Sequence, residues 1–153
     1  MDSHDNRTTV YVAHARSGPP FVVAVAAVVL FTDGTMAVYH LVLKGLVDLG
    51  ALSVPPADDV AANLAALLFG MRAAPSGPSI TIVGVIDEVE RVLRRKPPRR
   101  SFRCMSCFIR EELNRRDAQL HPVSAEHVFL HRMALRRARE ELAREVAAGG
   151  CRS

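Results

Sequence analysis

Hydrophobic and polar positions in the first half of the chain follow the order strand, strand, strand, helix, strand. The first strand is predicted over Thr8 to Ala15, where β-branched residues precede a loop rich in glycine and proline. An apolar run from Phe21 to Phe31, rich in valine, predicts a buried second strand. The Asp33-Gly34 pair then fits a tight hairpin turn, and Thr35 to Lys44 returns as a third strand. Because this third strand is apolar on both faces, we expect it to be central in a sheet and covered on both sides.

The rest of the chain is mainly helical in pattern. Asp58 and Asp59 form an N-cap for a helix whose apolar positions recur at helical spacing from Val60 to Met71. Ser79 to Ile86 is a short β-branched run and predicts a buried fourth strand. Further helices are predicted over 87–93, 102–113 and 125–148, with a short edge strand over 118–123. We therefore expect one domain over 9–148, with flexible ends at 1–8 and 149–153.

Composition limits the class of protein. The chain has 153 residues of which 49% are hydrophobic, which is enough to fill the core of one domain and excludes a disordered chain. The longest apolar run is too short to span a bilayer, and the polar N-terminus does not resemble a secretory signal. We expect an intracellular protein, cytoplasmic or nuclear, without a membrane partner. Its three cysteines are then thiols or metal ligands rather than disulfides.

Charge is divided unevenly along the chain. Residues 1–90 contain 4 Lys and Arg against 9 Asp and Glu, whereas residues 91–153 contain 16 against 7. Such a basic half favours a phosphate-bearing partner, because bound cations release counterions from a nucleic acid. A solvated helix surface or a nuclear-import signal is the alternative interpretation. The candidate nucleic-acid-binding residues are Arg94, Arg95, Lys96, Arg99, Arg100 and Arg103.

Three local segments, in this order and spacing, carry a resemblance to a known family. They are Tyr11 to Ala15 with the Gly-Pro loop and apolar strand behind it, the alanine- and leucine-rich helix Val60 to Leu67, and Val123 to Ala134. Together they resemble the type 1 ribonuclease H domain, in the form found in plant retroelement-derived proteins. The resemblance implies an α/β fold of the ribonuclease H-like type. Its five-stranded mixed sheet has three antiparallel N-terminal strands, then alternating helices and strands, with helices on both faces.

The resemblance also implies a chemistry that this sequence does not match. The family holds two magnesium ions, about 4 Å apart, with carboxylates on the first strand, the first helix, the end of the fourth strand and the last helix. Those positions fall here at Ala13, Ala62, Val85 or Ile86, and His131. None of them is a carboxylate. If activity remained, it would require magnesium, and the catalytic candidates would be Asp87, Asp33 and His131.

Asp33 becomes a catalytic candidate only under a second alignment. In that alignment Phe31 to Thr35 corresponds to the family's first strand, and Asp33 corresponds to the catalytic aspartate on that strand. The alignment leaves Thr9 to Ala15 without a place, and Asp33 is otherwise explained as a hairpin residue chosen for its turn geometry.

A cluster of cysteine and histidine offers a different metal chemistry. Cys104, Cys107, His127 and His131 have the residue types of a zinc site, with His121 nearby. The two cysteines lie on a predicted helix rather than on a tight turn, so partly buried thiols are the alternative. No nucleophile elbow or phosphate-binding glycine loop is present in the sequence, and the 5% aromatic content argues against a base-stacking platform.

Three functional hypotheses follow from the sequence. The first is a degenerate ribonuclease H-like domain that binds an RNA–DNA hybrid or a duplex through its basic block. The second is an active hybrid ribonuclease with rearranged metal ligands, in which Asp87 acts with Asp33, Asp58 or Asp59. The third is a protein-interaction module that uses the long C-terminal helix.

Overall fold

A computed structural model describes residues 7–18, 22–44, 47–48, 53–54, 59–75, 79–84, 90 and 103–150 of the chain. Seven strands lie in these ranges: β1 (Thr8–Ser17), β2 (Val22–Leu30), β3 (Met36–Lys44), β4 (Val47–Asp48), β5 (Ser53–Val54), β6 (Ile80–Val83) and β7 (Gln119–His121). The helices α1 (Asp59–Ala73), α2 (Arg103–Arg115) and α3 (Val128–Gly150) accompany them. The helix predicted over 87–93, the end of the fourth strand at Val85 and Ile86, and the termini 1–6 and 151–153 lie outside the described residues.

Five of the strands form one mixed sheet in the order β3-β2-β1-β6-β7. β1, β2 and β3 are antiparallel neighbours, and β6 and β7 run parallel to β1. β4 and β5 form a separate two-stranded ribbon. The predicted five-stranded mixed sheet with three antiparallel N-terminal strands is therefore confirmed.

Helices cover both faces of this sheet because its central strand is apolar on both. Val10 and Val12 of β1 pack in the larger cluster with α1 and α2, whereas Tyr11 and Ala13 face α3. Residues 62–68 of α1 are all buried. Three of these seven residues are alanines, whose small side chains let the helix approach the sheet closely. No described helix has an apolar stretch long enough to cross a membrane.

The third strand does not have its predicted place. β3 is an edge strand of the sheet, and Met36, Tyr39 and Leu41 are 46%, 42% and 43% exposed. The prediction of a central, doubly covered strand was wrong. The central place belongs to β1, which pairs with β2 on one side and with β6 on the other.

The hairpin between β2 and β3 closes as its sequence predicts. The Phe31 amide donates to the Thr35 carbonyl at 2.9 Å, and Gly34 adopts a φ of 89°. The Asp33 carboxylate accepts hydrogen bonds from the Thr35 hydroxyl (2.6 Å) and the Thr35 amide (2.9 Å). These bonds lower the pKa of Asp33. The hairpin interpretation of Asp33-Gly34 is confirmed.

Helix α3 differs from the prediction in its bounds and in its exposed side chains. It begins at Val128, after a turn over 125–127, and it continues through the two glycines that were expected to end it. Phe129 and Val146 belong to the apolar pattern that predicted this helix, yet they are 74% and 51% exposed. The buried side of α3 is instead formed by residues such as Ala134 and Ala138.

Two arginines connect distant parts of the chain around the end of α2. The Arg7 guanidinium donates to the Ile80 carbonyl at 3.2 Å and pairs with the Asp117 carboxylate at 3.1 Å. The Arg116 guanidinium donates to the Met71 carbonyl at 3.1 Å and to the Pro75 carbonyl, next to the C-terminal end of α1. Carbonyls at the end of a helix lack partners within the helix, so Arg116 supplies one.

Candidate functional site

The end of β6, the middle of β1 and the first turn of α3 meet at Gly84. This glycine has a φ of 115°, and a Cβ atom placed on it would lie 2.4 Å from the Val12 carbonyl oxygen and 2.9 Å from Cδ2 of His131. Its amide donates to the His121 carbonyl at 3.2 Å. The backbone of β6 therefore passes directly beneath the His131 ring, and only a residue without a side chain fits there.

Burial favours the neutral form of His131. The half-buried ring has a lowered pKa, because burial penalises the charged form. A hydrogen bond from the ring to the Val12 backbone acts in the opposite direction and does not cancel the effect of burial. An imidazole held in this way closes the gap between α3 and β1. It is also a weak attractor for a phosphate, because it carries no charge near neutral pH.

The lowered pKa of His131 has a consequence for stability against pH. In the unfolded chain histidine titrates near pH 6.5, so below that pH the unfolded state binds more protons at this position than the folded state does. We expect the free energy of unfolding to fall as pH decreases below about 6.5. Above that pH, His131 should not change it. The variant His131→Gln should show a shallower decline between pH 7 and 5 in urea unfolding followed by circular dichroism. His121→Gln is the matched control. If the free energy of unfolding of His131→Gln declines with pH as steeply as that of the control, His131 does not titrate in this way.

A second contact joins β1 to the segment just before α3. The Tyr11 hydroxyl lies 3.3 Å from Nδ1 of His127, and the two ring centroids are 5.6 Å apart. Nε2 of His127 lies 3.5 Å from a carboxylate oxygen of Glu126. Burial raises the pKa of Tyr11, and the charge of Glu126 adds to this effect. This contact could not be predicted from the sequence, because the two rings are 116 residues apart in the chain and no local pattern links them.

Two of the positions implied to hold metal are buried alanines on opposite faces of the sheet. Ala13 is 7% exposed and packs in the cluster that includes Ala134, whereas Ala62 is fully buried in the cluster under α1. Magnesium prefers oxygen ligands, above all carboxylates. The described side chains at the start of α3 and on the facing part of β1 include the imidazoles of His127 and His131, the phenol of Tyr11 and the exposed carboxylate of Glu126. These do not fit a pair of magnesium ions.

The other catalytic candidates do not join His131 in the described part of the chain. Asp33 lies in the hairpin turn beyond Leu30, which pairs with Thr9 near the start of β1, whereas His131 lies beside Val12. Asp87 lies outside the described residues, as do Val85 and Ile86.

The zinc candidates are divided between two helices. Cys107 is exposed on α2, whereas His127 lies in the turn before α3 and contacts Tyr11, and His131 lies in the first turn of α3 and contacts Val12. Cys104 lies in the first turn of α2, and its side chain is outside the described set. Among the residues that the structure describes, no group of three or more His, Cys, Asp or Glu side chains is placed to hold a metal ion.

The candidate nucleic-acid-binding residues fall largely outside the described ranges. Arg103 lies in the first turn of α2, without a described side chain. The remaining members are all in the undescribed segment 91–102: Arg94, Arg95, Lys96, Arg99 and Arg100.

The strand order and the helices on both faces define the ribonuclease H-like fold. No family model and no curated protein matches the chain. Among solved structures, the chain is similar to RNase H1 from the halophilic archaeon Halobacterium salinarum NRC-1, with a TM-score of 0.64 and 20% identity over 88% of this chain and 98% of the other. It is also similar to the N-terminal RNase H domain of rv2228c from Mycobacterium tuberculosis, with a TM-score of 0.59 and 10% identity over 92% and 98% of the two chains. At these identities the likeness establishes the fold.

Proposed function

We propose that this chain is a ribonuclease H-like domain that binds nucleic acid without cleaving it. The observation that carries the proposal is the pair of buried alanines, Ala13 and Ala62, at the positions where the resemblance implies metal-binding carboxylates. Hydrolysis by two metal ions needs several carboxylates to hold and orient the ions. A methyl group offers no ligand. The fold is retained around a pair of positions that cannot perform this chemistry.

We place the contact with nucleic acid at the basic block between Arg91 and Arg116. The block has ten positive residues, and cations bind nucleic acid by releasing counterions from phosphates. The partner we favour is an RNA–DNA hybrid or a duplex, which such a block would contact through the backbone rather than through base edges. The three segments that resemble the plant retroelement form further suggest that the domain derives from such an element.

Binding and cleavage should separate when the full chain is tested on one labelled substrate. We expect a fluorescein-labelled 20-base-pair RNA–DNA hybrid to bind at 50 mM salt, as measured by fluorescence anisotropy. Between 50 and 200 mM salt the affinity should drop by about 10³-fold if six phosphates are contacted. The same hybrid, incubated with magnesium or manganese, should yield no product above a control without protein.

Each half of the proposal has a result that would contradict it. No binding to hybrid, duplex or single strand at 50 mM salt would refute nucleic-acid binding. Product that accumulates with magnesium and disappears with a chelator would refute the loss of cleavage and would support the rearranged ligand set around Asp87. An Asp87→Asn variant would then distinguish a metal ligand from a contaminating nuclease.

A further inference from the structure

The outer face of α3 carries three arginines and one phenylalanine in a single row. Phe129, Arg132, Arg136 and Arg139 are separated by three or four residues, so their side chains project from the same side of the helix. All four are exposed, and Phe129 is the most exposed of the large hydrophobic residues in the described part of the chain, at 74%. We refer to these four residues as the α3 arginine face. The three arginines also line one shallow depression with Leu135 and Glu140.

These three arginines differ from Arg144 and Arg115 in having no partner among the described residues. Arg144 pairs with Glu141 at 2.9 Å on the same helix, and Arg115 pairs with Glu112 on α2. Glu145 of α3 pairs with Lys44 of β3. Arg132, Arg136 and Arg139 make no ion pair or hydrogen bond with any described residue. Their charge is therefore available to a partner.

The exposure of Phe129 is the second observation that points to a partner. A single exposed apolar side chain is ordinary on a protein surface. This one, however, lies one turn before the first arginine and continues the same row. An aromatic ring beside a row of guanidinium groups matches the chemistry of a nucleic acid strand, which offers phosphates along its backbone and a flat face on each unpaired base.

We propose that the α3 arginine face binds a single-stranded nucleic acid, with the three arginines on successive phosphates and Phe129 stacked on an unpaired base. Arg132 and Arg139 are separated by about 10 Å along the helix axis. This length covers about three phosphates of a stacked strand at about 3.4 Å each. Glu140 lies at one border of the depression and would repel a phosphate, so the strand would follow the arginines on the other side.

This inference deepens the proposed function, and it differs from it in residues and in ligand. The basic block around Arg94 is assigned to hybrid or duplex, whereas the α3 arginine face is assigned to single strands. An acidic peptide would use the same charges but would not require the exposed ring of Phe129. That difference decides the design of the experiment.

The test compares two variants that lose the same number of charges. One is Arg132→Gln, Arg136→Gln, Arg139→Gln, and the matched control is Arg16→Gln, Arg72→Gln, Arg144→Gln, which removes exposed arginines outside both the α3 arginine face and the basic block. Binding of a fluorescein-labelled 20-mer of deoxythymidine to the full chain is followed by anisotropy from 50 to 200 mM salt. We expect at least about tenfold weaker binding for the face variant at 50 mM and a salt slope smaller by about 2, since each lost phosphate contact removes about 0.7. The control should stay within about threefold of the unmodified chain.

A Phe129→Ala variant tests the stacking separately. We expect about 5- to 100-fold weaker binding to the 20-mer, the range found when a base loses an aromatic partner, and unchanged binding to a 20-base-pair duplex. Circular dichroism melting curves establish that each variant is folded before it is compared.

The outcomes distinguish failure of this inference from failure of the proposed function. If no nucleic acid binds to the unmodified chain, both fail. If hybrid binds but the face variant holds the 20-mer as well as the control does, only the assignment of the α3 arginine face is overturned. It is overturned equally if Phe129→Ala has no effect, or if a poly-glutamate peptide of equal charge competes as well as the unlabelled 20-mer does.

Discussion

Replacing Gly84 by alanine should lower the free energy of unfolding by about 3 kcal/mol. Two costs contribute to this loss. An alanine at a φ of 115° is strained, and its methyl group would lie 2.4 Å from the Val12 carbonyl oxygen and 2.9 Å from the His131 ring. The backbone oxygen cannot yield without moving β1, which pairs with strands on both sides. For a chain of this size, the melting temperature measured by circular dichroism should fall by about 10 °C.

Gly34 provides the matched control for this prediction. It has a comparable φ of 89°, but a Cβ atom placed on it meets nothing within 4 Å. In Gly34→Ala the free energy of unfolding should therefore fall only by the cost of backbone strain, about 1–2 kcal/mol. Equal losses for the two variants would mean that the contact with Val12 and His131 contributes nothing.

Gly70→Ala should also destabilise the protein, by about 2 kcal/mol, although alanine is the better helix former. Gly70 lies on α1 where the helix rests on β1. A Cβ atom placed on it would lie 2.3 Å from Cγ1 of Val12 and 3.2 Å from Cγ1 of Val10. The gain in helix propensity is about 1 kcal/mol, which is smaller than the cost of forcing α1 away from the sheet. Urea unfolding of the variant measures the net effect.

A second substitution tests the cause of that loss. Val12→Ala removes the methyl group closest to Gly70. The double variant should therefore lose about 1–2 kcal/mol less free energy of unfolding than the two single variants lose together. Gly149→Ala is the control within a helix, because a Cβ atom there meets nothing within 4 Å. It should not destabilise the chain. Additive losses at Gly70 and Val12 would contradict a direct contact.

Elements with strong local signals could be predicted from the sequence. The apolar run of β2 and the Asp33-Gly34 turn lie close together in the chain, and the structure has them where the pattern indicates. The helices predicted over 102–113 and 125–148 also occur, as α2 and α3, with bounds that differ by a few residues. Local conformation depends on neighbouring residues, so one sequence contains enough information for it.

The position of an element in the fold depends on partners that are distant in the chain. β3 has the composition of a central strand, yet it is placed at the edge because β1 pairs with β6 and so occupies the centre. Phe129 fits the apolar pattern of α3 but falls on its outer side. A hydrophobic pattern alone does not show which face of a helix has a sheet beneath it.

The candidate site illustrates the same limit. The resemblance implied a site position for His131, and the structure has its ring against Gly84 and Val12. The role of Gly84 was not predictable, because nothing in its neighbouring residues indicates that a ring from α3 lies above it. The contact between Tyr11 and His127 was missed for the same reason.

The central place of β1 has a consequence for how the chain is completed during synthesis. β1 leaves the ribosome before the other strands of this sheet and can pair with β2 as soon as that strand follows, but its other edge must wait for β6, whose Ile80 pairs with Thr8. Throughout that interval the unpaired edge of a strand whose residues Val10 to Ala13 are buried in the finished domain is open to other chains. The innermost strand of the finished domain is thus its most vulnerable one while the domain is being made.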